Sequence, residues 1–151
     1  VDAAPDLKMA HIVEMRAGFV CRQGHPILAR QPESVPFEAL LTYPIASTPL
    51  SQEVARTMVD HYGPRANPAQ MTTLQCEEIS SLIDVVRRTD AIFLGIVGAA
   101  RQGLADGSLV ELVLDPPFRG GAQLALITLA GRTELPVMAV FRSFVTHWLT
   151  D

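Results

Sequence analysis

Apolar residues Ile79, Leu82, Ile83 and Val86 recur at helical spacing, with Glu77 and Glu78 at the start of the run and Arg87 and Arg88 at its end. This predicts a one-sided amphipathic helix whose charges complement its dipole. Before it, Met71 to Leu74 alternates weakly as a strand end does. After it, Thr89-Asp90 breaks the pattern and Ala91 to Leu94 is short and continuously apolar, as a strand buried on both faces is. The unit reads β-α-β, with Gly95 closing the strand and Ile96 to Gln102 forming a further helix. In such units ligands enter at the carboxyl ends of the strands, here near Leu74-Gln75 and Phe93-Gly95.

The same reading extends along the chain. Val1 to Asp6 is an irregular lead-in, Leu7 to Met15 an extended connection with Ile12 and Val13 turned inward, and Ala17 to Cys21 a clear strand. Gln23 to Pro26 is a turn cluster before a loop or short helix over Ile27 to Arg30, and Pro36 to Leu41 is a short helix. Ile45-Ala46 predicts a short buried strand that runs through Ser47-Thr48-Pro49 into a helix with Leu50, Val54, Met58 and Tyr62 on one side. Ser47 or Thr48 is the expected cap of that helix. Asp106-Gly107 is a turn, Leu109 to Leu114 and Ala122 to Leu129 are strands, and Gly131 to Glu134 is another turn. Pro136 opens a final helix in which Val137, Val140, Phe141, Phe144, Val145, Trp148 and Leu149 form an apolar face that needs a large surface to cover it.

Composition narrows the function classes. With 151 residues, 48% hydrophobic and 19% charged, the chain is long and apolar enough for a globular α/β domain and too apolar for a disordered tail. No apolar run approaches a membrane span, and no signal segment is visible. The chain starts at Val1 rather than Met, so we expect it to have been cut or processed from a longer one. A net charge of −4 without a basic stripe argues against nucleic acid as a direct partner. Two cysteines, Cys21 and Cys76, read as reduced thiols of a cytoplasmic protein. The four histidines lack metal-ligand spacing, so no metal or cofactor is expected. Neither a Gly-x-Ser-x-Gly, a phosphate-binding glycine loop nor a dinucleotide fingerprint occurs, which leaves an enzyme reading without support.

Particular segments carry a resemblance. Val20-Cys21-Arg22 followed by His25-Pro26-Ile27-Leu28-Ala29, Tyr43-Pro44-Ile45 before hydroxyl residues, Leu82 to Phe93, and Gly107-Ser108-Leu109-Val110-Glu111-Leu112 stand in the order and spacing seen in one family. From about Leu7 to its end the chain resembles the effector-binding domain of LysR-type transcriptional regulators. It departs from the family at Thr89-Asp90-Ala91, where many members carry Gly-x-Gly, and at Gly95-Ile96, where many have a Pro soon after.

The resemblance implies a two-lobed, periplasmic-binding-protein-like (type II) fold. The second lobe, residues 43–121, is expected to be complete; the first, residues 1–42 with 122–151, lacks its opening strands, and the DNA-binding helix-turn-helix is absent. It implies a small-molecule effector, often a carboxylate, in a cleft whose second-lobe wall holds Ser47 and Thr48. A helix start with free N–H groups and hydroxyls independently attracts an anion. Thr73 and Gln75, at the next strand end, and Phe93, Leu94 and Gly95 are expected to line the same cleft. The expected role is effector sensing and homo-oligomerisation in a regulator that reaches DNA only through a domain outside this chain. The alternative is a solute-binding protein of a transport system with the same two-lobed fold.

Overall fold

Two short strands, Ile45–Ser47 and Ile92–Ile96, are built from residues buried on both faces. In a computed structural model that describes residues 6–31, 33–133 and 135–149, the elements run β1 (Leu7–Arg22), α1 (Pro26–Arg30), β2 (Val35–Pro36), α2 (Phe37–Leu40), β3 (Ile45–Ser47), α3 (Gln52–Tyr62), α4 (Pro68–Met71), β4 (Thr72–Gln75) and α5 (Ile79–Arg88). They continue with β5 (Ile92–Ile96), α6 (Arg101–Ala105), β6 (Leu109–Glu111), β7 (Leu114–Asp115), β8 (Gly120–Leu129) and α7 (Pro136–Leu149). The lead-in over residues 1–5 and Glu134 of the last predicted turn lie outside the described residues.

The chain forms two units, one from residues up to Met15 with Ala122 onward, the other from Arg16–Gly121. In the second, the strand order is β4-β3-β5-β1-β6. β3 runs parallel to both neighbours, while β1 is antiparallel to β5 and β6, with Val20 opposite Phe93 on one side and Glu111 on the other. Strand alternation then sends successive side chains to opposite faces. Phe19, Cys21, Ile45, Ile92 and Leu94 enter a core shared with Ile27 of α1, Phe37 and Leu40 of α2, and Met58 of α3. Val20, Ala46 and Phe93 enter the other, against Leu82, Ile83 and Val86 of α5. Helices therefore cover both faces, which is why Ala91 to Leu94 reads as unbroken apolar sequence. Residues 16–42, expected with the first lobe, pack here instead, because Phe19, Cys21, Ile27, Phe37 and Leu40 fill the same core as Ile45 and Ile92.

Other expectations shift at element ends. Leu7 to Met15, expected as an extended connection, is the first half of the 16-residue β1. Val13 is buried, and the Ile12 side chain lies outside the description. β5 continues through Gly95 to Ile96, and a 3-10 turn at Val97–Ala100 precedes α6. A Cβ at Gly95 would run into the Phe93 ring two residues back on the same face, so Gly95 is the residue that lets this ring lie flat. The strand expected over Leu109 to Leu114 is broken after Glu111, and Leu114 instead pairs with Val35 in a two-stranded parallel sheet.

A polar link ties the β1–α1 turn to the start of β5. The buried His25 caps α1, its Nδ1 accepting from Ile27 N at 3.0 Å, so Nε2 carries the proton and donates to the Asp90 carbonyl at 3.1 Å. Arg22 grips the Asp90 carboxylate at 2.7 and 3.2 Å, and Tyr43 packs edge-on against the imidazole. The residue order that carried the family resemblance thus has a structural cause. At the far end of α3, Tyr62 stacks on Phe37 and donates to the Pro116 carbonyl at 2.8 Å, while burial pushes its phenol up to about 12.

In the first unit, β8 runs beside the opening half of β1 in the opposite sense. Gln123 donates to Glu14 at 2.9 Å and Ala130 N to the Asp6 carbonyl at 2.8 Å. Leu124, Ile127 and Leu129 of β8 and Val137, Val140, Phe141 and Phe144 of α7 are all exposed; the side chains of Trp148 and Leu149 lie outside the description. Among the described residues no helix is long and apolar enough to cross a membrane.

Glu78 does not sit in the first turn of α5 with Glu77, as the sequence predicts, but caps the helix from outside it. Its carboxylate accepts from the Ser80 and Ser81 hydroxyls and from their backbone N–H groups at 3.2 and 2.9 Å. These bonds favour the charged form and hold the group down at about 2. A depressed folded value means stability that is present above the ordinary carboxylate range and is lost as the pH falls through about 2. The thermal midpoint of Glu78→Gln should therefore lie below that of the parent at neutral pH, and the gap should narrow steadily as the solution is acidified below about pH 4.5. An equal gap at neutral and acid pH would show that the carboxylate charge is not what caps α5.

Candidate functional site

The carboxyl ends of β3 and β4 lie side by side. Ser47 pairs with Gln75 in the parallel register, and Cys76 N donates to the Ser47 carbonyl at 3.3 Å as the chain leaves β4. β3 is flanked by β4 and β5, and α3 and α5 leave on opposite faces of the sheet, so the crevice beyond Ser47 is where a doubly wound sheet accepts a ligand.

A cavity of about 430 Å³ opens there. One wall is made by Ser47, Thr48, Thr72 and Gln75 from the strand ends. A second comes from the start of α3 and its approach, Leu50, Gln52, Ala55 and Arg56. Asn67, Pro68 and Ala69, the entry to α4, form the third. Polar and apolar groups share the lining about equally, and among the described residues Arg56 is its charged residue, with no acidic side chain beside it. Among the described residues Arg56 has neither an ion-pair nor a hydrogen-bond partner, whereas Arg65 and Arg22 are paired with Glu38 and Asp90.

Of the residues predicted from sequence, Ser47, Thr48 and Gln75 come together at this cavity. Ser47 is 1% exposed and its hydroxyl donates to the Thr48 carbonyl at 2.5 Å, so it shapes the wall, while Thr48 and Gln75 are open to the cavity. Thr73 points elsewhere: its hydroxyl accepts from Ile45 N at 3.4 Å, and it lines a separate hollow with Tyr43, Arg65 and Gln70. Phe93 and Leu94 are each 1% exposed in the two cores, Gly95 is buried beside them, and none of the three lines the cavity.

Neither Ser47 nor Thr48 caps α3. The helix begins three residues later, at Gln52, because Ser51 accepts from Val54 N at 3.3 Å and satisfies a first-turn donor, while the Ser47 hydroxyl is already committed to Thr48. That register decides what faces the cavity. Gln52, Ala55 and Arg56, spaced i, i+3, i+4, share a stripe distinct from the buried one through Val54 and Met58. Sequence reasoning missed Gln52, Arg56, Asn67 and Thr72. The available signal was Asn67 before Pro68, where Asn67 Oδ1 accepts from Ala69 N at 3.1 Å to cap α4.

No cluster of three His, Cys, Asp or Glu able to hold a metal occurs among the described residues. Both cysteines are free. Cys21 is buried in the core, and burial pushes its thiol up to about 11, which keeps it protonated and unreactive. Cys76, half-buried, stands at the β4 exit with its sulfur facing Glu78 N at 3.4 Å.

The capping assignment has a direct test. Ser51→Ala should destabilise the protein by about 1 kcal/mol in urea unfolding, whereas Thr48→Ala should stay within about 0.5 kcal/mol of the parent. The reverse order would return the cap to Thr48.

Comparison with known proteins completes the picture. The LysR substrate binding domain matches residues 2–150. The SDS degradation transcriptional activation protein of Pseudomonas sp. (strain ATCC 19151) is 25% identical over 142 residues, covering 93% of this chain and 45% of that protein. The chain thus spans less than half of that relative's length. The effector domain of the transcriptional regulator AmpR of Pseudomonas aeruginosa shares the fold, with a TM-score of 0.61 and 18% identity over 96% of this chain and 66% of its own. So does the effector-binding domain of QuiR in complex with shikimate, with a TM-score of 0.56 and 18% identity over 99% of this chain and 68% of its own. These are mixed α/β folds of the periplasmic-binding-protein-like type, in a family of regulators and not of enzymes. The match over nearly the whole chain places it in the LysR substrate-binding domain family, as the effector-binding domain of a LysR-type transcriptional regulator.

Proposed function

We propose that this domain senses a small carboxylate in the cavity at the ends of β3 and β4, and that it does so as part of a longer cytoplasmic regulator. The observation that carries the reading is the convergence of Thr48 and Gln75 with the Ser47-shaped wall on one polar cavity. Small-molecule sites are concave and orient their ligand with a few placed polar groups, which is what these side chains supply. The QuiR domain holds shikimate, a carboxylic acid, and a ligand of that kind suits a cavity whose charged residue is a cation. DNA is reached through a domain outside this chain, since the domain itself has a net charge of −4. The ligand acts by preferring one of two arrangements of the regulator, so its effect is limited by its difference in affinity for them.

The test is calorimetric titration of small acids into the intact protein and into a Thr48→Ala/Gln75→Ala variant. Loss of two ligand hydrogen bonds should weaken the bound acid about tenfold or more. Unchanged affinity in a folded variant would remove this cavity from the account.

The domain is also proposed to self-associate. Phe141 and Phe144 of α7 are 47% and 58% exposed, and Ile127 and Leu129 of β8 are both 51% exposed, an apolar surface of the sort that marks interaction sites. Light scattering of the 151-residue chain at micromolar concentration should give a mass above 16.4 kDa, and Phe141→Glu/Phe144→Glu should lower it toward the monomer. A monomeric parent would overturn the proposal.

A further inference from the structure

We infer that Arg56 selects the ligand: the cavity it lines with Asn67, Gln52 and Gln75 is built for a small hydroxylated monocarboxylate, whose charge the Arg56 guanidinium meets. The inference rests on the reading of this cavity as the effector site and adds the chemistry of what enters it.

Three observations converge. The first is charge. Arg56 lacks any ion-pair or hydrogen-bond partner among the described residues, although Glu53 and Asp60 lie one turn to either side of it on α3. Neither acidic residue lines the cavity, so an anion there meets a cation without an opposing carboxylate. A guanidinium presents a planar fork of donors that fits a carboxylate with two parallel bonds. One cation calls for one negative charge.

The second is the rest of the wall. Asn67 has its carbonyl oxygen committed to Ala69 N, which leaves its NH₂ group to donate. The Gln52 and Gln75 amides can donate and accept, as can the Thr48 and Thr72 hydroxyls. Among the described residues no aromatic side chain lines the cavity, and its apolar portion, from Leu50, Ala55, Pro68 and Ala69, leaves about half of the wall polar. A hydrocarbon acid placed here would displace water from these groups and leave them unpaired. A carbon skeleton bearing hydroxyls would satisfy them, which is the asymmetry by which polar sites reject analogues lacking a hydroxyl.

The third is size. A volume of about 430 Å³ lies in the lower part of the range for small-molecule sites and suits a single ring or a short chain.

The experiment is calorimetry on the intact protein with D-gluconate, shikimate and benzoate, and with D-gluconamide as the uncharged counterpart of gluconate. At least one hydroxylated acid should bind at millimolar concentration or below, with benzoate about tenfold weaker. Arg56→Gln should weaken the acid about tenfold or more, and Arg56→Lys should recover part of that loss. Added salt should weaken acid binding to the parent and leave the Arg56→Gln variant unaffected, while gluconamide should bind both proteins alike. Circular dichroism should show α3 intact, since Arg56 is exposed and has no partner among the described residues.

Tighter binding of benzoate, or no binding of either hydroxylated acid, would overturn the ligand class. If Arg56→Gln binds as the parent does while Thr48→Ala/Gln75→Ala loses the acid, the role of Arg56 falls and the effector cavity stands. If neither variant changes the affinity, both fall together.

Discussion

The three-residue strand β3 is the constraint on which the second unit depends. Ile45, Ala46 and Ser47 are all buried, with parallel partners on both sides and a core on each face. Ile45 enters the core under α3 and Ala46 the core under α5, so one residue step separates the two. A slip of register by one residue would exchange these environments, asking the α5 side to accept Ile45 in the space of Ala46. A third consequence concerns Ser47: a strand that ends there, between two parallel neighbours, delivers its last side chain to the rim of the sheet.

The cavity follows from the order in which the strands are laid down. From β3 the chain passes through α3 to β4 on one side, then through α5 to β5 on the other, and the two connections cover opposite faces. The carboxyl end of β3 therefore lies where side chains from several segments converge. The far end of α3 is held by Tyr62 through Phe37 and the Pro116 carbonyl, which fixes the register in which Gln52, Ala55 and Arg56 are presented. The aromatic cluster and the polar cavity are thus two ends of one positioned helix.

The hydrophobic period was enough to read α5, β5 and the β-α-β unit, because Leu82, Ile83, Val86 and Ile92 to Leu94 are buried in the pattern their spacing predicts. Family-like segments such as His25-Pro26 were legible for a local reason, the cap that His25 provides. Tertiary decisions were not. A 16-residue β1 could not be read from Leu7 to Met15, whose polar residues break the alternation; its strand state depends on β8, more than a hundred residues away. Ser47, Thr48 and Ser51 are equally good caps in isolation, and the choice depends on which hydroxyl the fold has already engaged. Phe93, Leu94 and Gly95 were placed at the cleft by their strand end, yet β5 runs on to Ile96, carries Phe93 and Leu94 into the cores and buries Gly95 beside them. Arg56 carried no signal of its own because an exposed arginine on a helix is ordinary; only the helix register makes it part of a wall.

A ligand held by residues 47–75 touches one unit only, so the cavity by itself stabilises that unit by mass action and nothing more. For binding to be felt elsewhere, some element must exist in two arrangements that the ligand distinguishes. The chain crosses between the units at two places, Met15 to Arg16 and Gly121 to Ala122, and both lie within strands, β1 and β8. β1 is antiparallel to β5, and β5 pairs with β3 at Leu94 and Ser47, so the cavity rim is two strand pairings from the first crossing. Within the second unit, a change in how Ser47 and its neighbours are held reaches β1 through two strand pairings, and a ligand there can be felt beyond the cavity only if some element has two stable settings that it distinguishes.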